Sequence, residues 1–170
     1  MRASFPLPAT KISSPFTVLI AVGTFGAFVA GSQELIDYLR NFARPYIYTT
    51  ALPPAVAAAT RQSLRLIAEE TWRREQLQAH IQVFRQQVLA QGWSLMASDT
   101  AIQPLLVGDE QRALQLSQAL ADKGFWVTAI RPPTVPVGES RLRITLTAAH
   151  KTADVQALIN ALAELRTNDV

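Results

Sequence analysis

Arg131-Pro132-Pro133-Thr134-Val135-Pro136, with Arg141-Leu142-Arg143-Ile144-Thr145-Leu146-Thr147-Ala148-Ala149-His150 close behind it, carries the most information about the fold. Two prolines directly after an arginine keep that arginine in extended or turn backbone and out of a helix. A guanidinium held this way can donate two parallel hydrogen bonds to one carboxylate. The segment that follows alternates. Leu142, Ile144 and Leu146 fall on one face, and Arg141, Arg143, Thr145 and Thr147 on the other, which is the period of a half-buried strand. As bare pattern, a Pro-stiffened loop with a solvated arginine before an edge strand is the competing reading.

Around this stretch the C-terminal part reads as a small α+β unit. Thr152 reads as the N-cap of a last helix to about Arg166, with Val155, Leu158, Ile159, Leu162 and Leu165 on one face. Upstream, Phe125–Ile130 is a strand. Glu110–Lys123 is a helix after the Gly108-Asp109 turn, with Ala113, Leu116 and Leu120 inward and Gly124 closing it. Ile102–Val107 is a further strand, and Pro104 inside it predicts an edge or irregular one. Trp93-Ser-Leu-Met suggests a short strand before it. The result is a β-α-β-β-α unit, a small sheet with helices on one face.

Towards the N-terminus the pattern turns helical. Pro53-Pro54 opens a long helical region that Gly92 stops. Val56, Thr60, Leu64 and Ile67 form one stripe, and Leu77, Ile81, Phe84 and Val88 a cleaner one. The charged run Glu69–Glu75 between them either continues or breaks the helix. His80 and the Arg73-Arg74 pair read as solvated surface. Ser32 caps a helix through Arg44, striped by Leu35, Ile36, Leu39 and Phe42 and ended by Pro45. Tyr46–Thr50 then reads as a short extended piece. Phe16–Val22 is apolar and β-branched. It reads as a buried strand, or else as the apolar run of a signal peptide ending at Ala30-Gly31-Ser32. Residues 1–14 read as a loose arm.

Composition narrows the functions. The 170 residues are 49% hydrophobic and 17% charged, which is globular. Net charge is +3 without any Lys/Arg run, so neither a nucleic-acid patch nor a membrane patch is expected. With no cysteine and two isolated histidines, no metal site is expected.

The RPPTVP run and the Arg141–His150 strand resemble the C-terminal signature of the pyridoxal-phosphate-dependent α-oxoamine synthases, which are similar to class I/II aminotransferases. Trp126-Val127-Thr128 and the Pro-Pro-Thr form resemble the oxononanoate synthase branch. Further family-like pieces stand in the expected order: Gln103-Pro104, Val107-Gly108-Asp109 and Arg112-Ala113-Leu114. The resemblance runs from about Val22 to about Leu165. It implies an α/β protein: the C-terminal portion of a fold-type I transferase, with long helices and a remnant of the large domain ahead of the small sheet. The implied divisions are 1–14 (arm), 15–52 (large-domain remnant), 53–91 (connecting helices) and 92–170 (small domain).

The same resemblance implies chemistry. Its enzymes use pyridoxal 5'-phosphate to condense L-alanine with a pimeloyl-thioester, as cytoplasmic homodimers. Arg131 would bind a substrate carboxylate and Thr134 the substrate. Thr24 would contact the cofactor phosphate. Thr49 and Thr50 are candidate phosphate contacts across a dimer, or else two strand-end threonines. The family's ring-stacking histidine and its ring-pairing aspartate precede the matched segment and are carried over to no residue here.

One departure decides the activity expected. Val22-Gly23-Thr24-Phe25-Gly26 resembles the family's lysine loop, but Gly26 runs straight into Ala27-Phe28-Val29-Ala30-Gly31. The Schiff-base lysine is absent, and Lys11, Lys123 and Lys151 all lie elsewhere. No catalytic residue is therefore assigned, and the chain is expected to be incompetent alone. Two alternatives remain: a folded, dimerising remnant without catalysis, or a small exported protein led by residues 1–31. Phe25, Phe28 and the Val18–Val22 run are expected to lie uncovered and to drive association.

Overall fold

A computed structural model describes residues 16–20, 23, 24 and 27–167, with residues 16–20, 27 and 28 described through their backbone alone. The expected exposure of Phe25, Phe28 and Val18–Val22 therefore lies outside the described side chains, and residues 1–14 and Lys11 lie outside the described residues. The chain divides between Thr71 and Trp72 into two compact units.

In the N-terminal unit, β1 (Phe16–Ile20) and β2 (Ala27–Gly31) form an antiparallel hairpin, with Phe16 opposite Gly31 and Ile20 opposite Ala27. The second strand was not anticipated. Its residues are small or apolar, and Gly23 at φ +77 lies in the turn that folds it back. Helix α1 (Gln33–Phe42) begins as expected, with the Ser32 hydroxyl accepting from the Leu35 N–H at 3.4 Å. Hydrogen bonds from the backbone and the Ser32 side chain hold the Glu34 carboxyl below its ordinary range.

Beyond α1 the expected extended piece is corrected. Arg44–Ile47 forms the short helix α2, with Pro45 in its first turn, where its missing N–H is not needed. Tyr46 and Ile47 both donate to the Ala43 carbonyl, at 2.9 and 3.0 Å, overriding their β propensity. Helix α3 (Pro54–Glu69) starts at the anticipated proline pair and ends at Glu70, so the long helical region is broken there. None of α1, α2 and α3 buries a residue.

The C-terminal unit holds the core. It comprises α4 (Trp72–Ala90), β3 (Ser94–Leu95), β4 (Ile102–Gly108), α5 (Glu110–Asp122), β5 (Thr128–Ile130), β6 (Ser140–Thr145) and α6 (Thr152–Thr167). The sheet order is β3-β4-β6-β5, all neighbours antiparallel. Leu105, Leu142 and Ile144 point from the sheet into a core with Phe84 and Val88 of α4, Leu116 and Leu120 of α5, and Ile159 and Leu162 of α6. The inward faces anticipated for the three helices are the buried ones, except that Leu77 and Leu165 are only partly buried against this core.

Four local expectations change. Pro104 lies in a central strand, not an edge. Its carbonyl accepts from Met96 N–H at 3.0 Å, so its missing N–H faces Met96 as well; the Met96 carbonyl takes a guanidinium N–H of Arg85 at 3.1 Å instead. Strand β5 is shorter than Phe125–Ile130, because Phe125 N–H is spent on the Leu120 carbonyl at 2.8 Å in closing α5. Gly124, at φ +88, is the left-handed residue of that closure. Thr152 is the first residue of α6 and not its cap; the Asp154 carboxylate accepts from Lys151 N–H at 3.0 Å. His80 is buried, not on the surface, with its Nε2 3.0 Å from the His150 carbonyl oxygen. A histidine is tolerated inside when its polar nitrogen has such a partner.

Candidate functional site

Strand β5 ends at Ile130, which lies opposite Arg141 of β6. Arg131 follows immediately and opens a tight turn. Its carbonyl accepts from Thr134 N–H at 3.0 Å across the cis Pro132-Pro133 peptide. The turn anticipated from the proline pair is therefore present, with Arg131 and Thr134 both on its exposed surface. The strand pairing holds the start of this turn, and the two fixed proline φ angles limit its freedom.

The arginine is not an open fork. Its Nη1 donates to Glu110 Oε1 at 2.8 Å, and the two side chains are 49% and 44% exposed. Glu110 is the first residue of α5, behind the N-cap Asp109, whose carboxylate accepts from Arg112 N–H at 2.7 Å. Ser140, paired with Gly108, stands one register step beyond Arg141 at the same end of the sheet. It is 1% exposed, and its hydroxyl has no partner among the described residues. Linear reading missed both Glu110 and Ser140. Glu110 lies 21 positions from Arg131, and only the path of α5 across the sheet joins them.

Among its strand neighbours, Arg141 folds back, donating to the Glu139 carboxylate at 2.9 Å and to the Met96 sulfur at 3.0 Å. The His150 Nδ1 accepts from Thr147 N–H at 3.3 Å while its carbonyl receives His80.

The three threonines read as phosphate contacts belong to the N-terminal unit. Thr24 Oγ1 lies 2.7 Å from Thr60 Oγ1, and Thr60 donates its own proton to the Val56 carbonyl at 2.8 Å. With Thr60 donating to Val56, Thr24 donating to Thr60 satisfies both contacts with the one proton each hydroxyl carries. Thr49 and Thr50 are exposed between α2 and α3.

The residues present do not fit pyridoxal phosphate held as a Schiff base. Residues 21–26 contain no lysine. In the C-terminal unit, Lys123 Nζ is 2.6 Å from a Glu164 oxygen, and Lys151 is exposed just ahead of α6. A covalently held cofactor needs an amine; the resemblance places it just after Gly26, and the sequence supplies none there.

The aminotransferase class I and II family matches residues 21–162. The 8-amino-7-oxononanoate synthase of Pseudomonas entomophila (strain L48) is 60% identical over 144 residues, 85% of this chain and 37% of that protein. That of Saccharophagus degradans is 59% identical over 145 residues, 85% of this chain and 36% of that protein. Among solved structures, a Sphingomonas wittichii serine palmitoyltransferase superposes with a TM-score of 0.79 at 29% identity, covering 88% of this chain and 38% of the other. The 8-amino-7-oxononanoate synthase of Francisella tularensis gives 0.75 at 26% identity, covering 88% and 44%. The chain thus spans under two-fifths of the length of these curated relatives. The small antiparallel sheet and its helices are those of the C-terminal part of the fold-type I fold, and the chain belongs to the aminotransferase class I and II family.

Proposed function

We propose that this chain represents the C-terminal, carboxylate-binding part of an 8-amino-7-oxononanoate synthase, and that it does not turn over substrate alone. The observation that carries the second half is internal to the matched region. Where the family places its lysine, Gly26 is followed directly by Ala27, with no lysine among residues 21–26. Support for the first half is the RPPTVP turn at the end of the small sheet. It holds Arg131 beside strand β6, where a carboxylate can reach a guanidinium from solvent. On this reading L-alanine and the pimeloyl-thioester are the ligands of the intact enzyme, and Arg131 and Thr134 would meet the substrate.

The reading also implies a cytoplasmic protein that pairs with a second copy. What supports the pairing is that Tyr38, Phe42, Tyr46 and Tyr48 of the N-terminal unit are 61%, 66%, 62% and 83% exposed, apolar surface that a second copy would cover. No described helix is long and apolar enough to cross a membrane. The test is a coupled assay with L-alanine, pimeloyl-thioester and added pyridoxal phosphate. The expected rate equals that of a blank without protein. Turnover above it would refute the proposal.

A further inference from the structure

We infer that Glu110 is a resident carboxylate on Arg131, which an incoming carboxylate must displace, so that Glu110 sets the affinity of the turn for carboxylate ligands. The inference rests on the reading of Arg131 as a carboxylate-binding residue and adds a second residue to that site.

The geometry carries it. Glu110 holds Arg131 through one contact, Nη1 to Oε1 at 2.8 Å. A guanidinium offers five N–H donors and matches a carboxylate best through two parallel bonds. A ligand carboxylate taking both therefore makes one hydrogen bond more than Glu110 does. Both side chains are about half exposed, so the exchange can occur from solvent without opening the core. Glu110 also loses little on release. It stands in the first turn of α5, where the positive end of the helix dipole favours a carboxylate whether or not Arg131 is near. The Pro-stiffened turn keeps Arg131 in place during the exchange, because its strand-end backbone is held by β6 and by the bond to Thr134.

The ligand class follows from the exchange. A carboxylate that can present both oxygens competes with Glu110; an anion that makes one contact gains nothing over it. Glu110 thus acts as a selectivity filter favouring bidentate carboxylates.

The experiment uses the full chain, labelled with nitrogen-15, and follows the Arg131 Nε–H resonance while propionate is added. Propionate carries the carboxylate of L-alanine without its ammonium group, so an attraction of that ammonium to Glu110 cannot obscure the result. Wild type, Glu110→Gln and Glu139→Gln are compared. Glu139 pairs with Arg141 at 2.9 Å and its change removes the same charge at another arginine. An exposed ion pair is worth up to about 1 kcal/mol, which converts to roughly fivefold in affinity. Glu110→Gln is expected to bind propionate about two- to fivefold more tightly than wild type, with Glu139→Gln unchanged from wild type. Glu110→Ala gives an independent second reading should the glutamine retain a bond to Arg131. Equal or weaker binding in both Glu110 variants overturns the role of Glu110 and leaves Arg131 as a carboxylate site. An Arg131 resonance that fails to move in every protein overturns both.

Discussion

Removing α4 should unfold the C-terminal unit, although sequence pattern alone divides the chain after that helix. Ile81, Phe84 and Val88 of α4 are 3%, 0% and 0% exposed, and all three join the core beneath the sheet. Burying one such side chain contributes about 1.5–3 kcal/mol, so the three together contribute roughly 5–9 kcal/mol. That is comparable to the entire stability of an ordinary domain, about 5–15 kcal/mol. The loss would not stop there. Gln103 is fully buried, and its Oε1 accepts from Arg85 of α4 at 2.7 Å. Without α4 that acceptor is either left unpaired, at a cost of about 1–3 kcal/mol, or exposed by opening the core. Polypeptides covering residues 72–170 and 92–170 would be compared by thermal and urea melts followed by far-ultraviolet circular dichroism. The longer one should show a cooperative transition and the shorter one none. A cooperative melt of 92–170 at a midpoint near that of 72–170 would refute the assignment of α4 to this core. The point variant Phe84→Ala provides a graded version. It should lower stability by about 3–5 kcal/mol without changing the slope of the urea transition.

Further outcomes follow from other parts of the structure. At Gly124 an added Cβ would meet nothing within 4 Å, so Gly124→Ala carries only the left-handed backbone penalty, about 1–2 kcal/mol by urea titration; a much larger loss would mean that packing and not φ +88 explains the glycine. Incubation with pyridoxal phosphate followed by borohydride reduction should give no stoichiometric single-site adduct in the intact mass, since no lysine stands between residues 21 and 26; one adduct mapped to a single lysine would overturn the reading of the gap. Light scattering of the intact chain should report association driven by the exposed aromatic residues of α1 and α2, and Phe42→Ser with Tyr46→Ser should reduce it. A monodisperse monomer at moderate concentration would count against that source of association.

Much of this protein is legible in the linear order of residues, because short-range physics decides it. The inward stripes of α4, α5 and α6 follow the 3.6-residue period, and burial falls where the stripes do. Gly92 and Gly124 end helices because both adopt the positive φ that other residues resist, and the alternation of β6 sets which of its side chains enter the core. The missing lysine and the proline-stiffened Arg131 are likewise properties of the string. What required tertiary structure is everything that joins distant segments. Pro104 sits in a central strand because an arginine from α4 takes over the carbonyl it cannot serve. His80 is buried because a carbonyl 70 residues away receives its ring nitrogen, and α4 belongs to the C-terminal core because its apolar stripe finds the sheet. The carboxylate of Glu110 reaches Arg131 only because α5 starts where β5 ends across the sheet. Periodicity specifies which face of an element is apolar; it carries no information about which other element that face will meet, and pairing across the fold decides the rest.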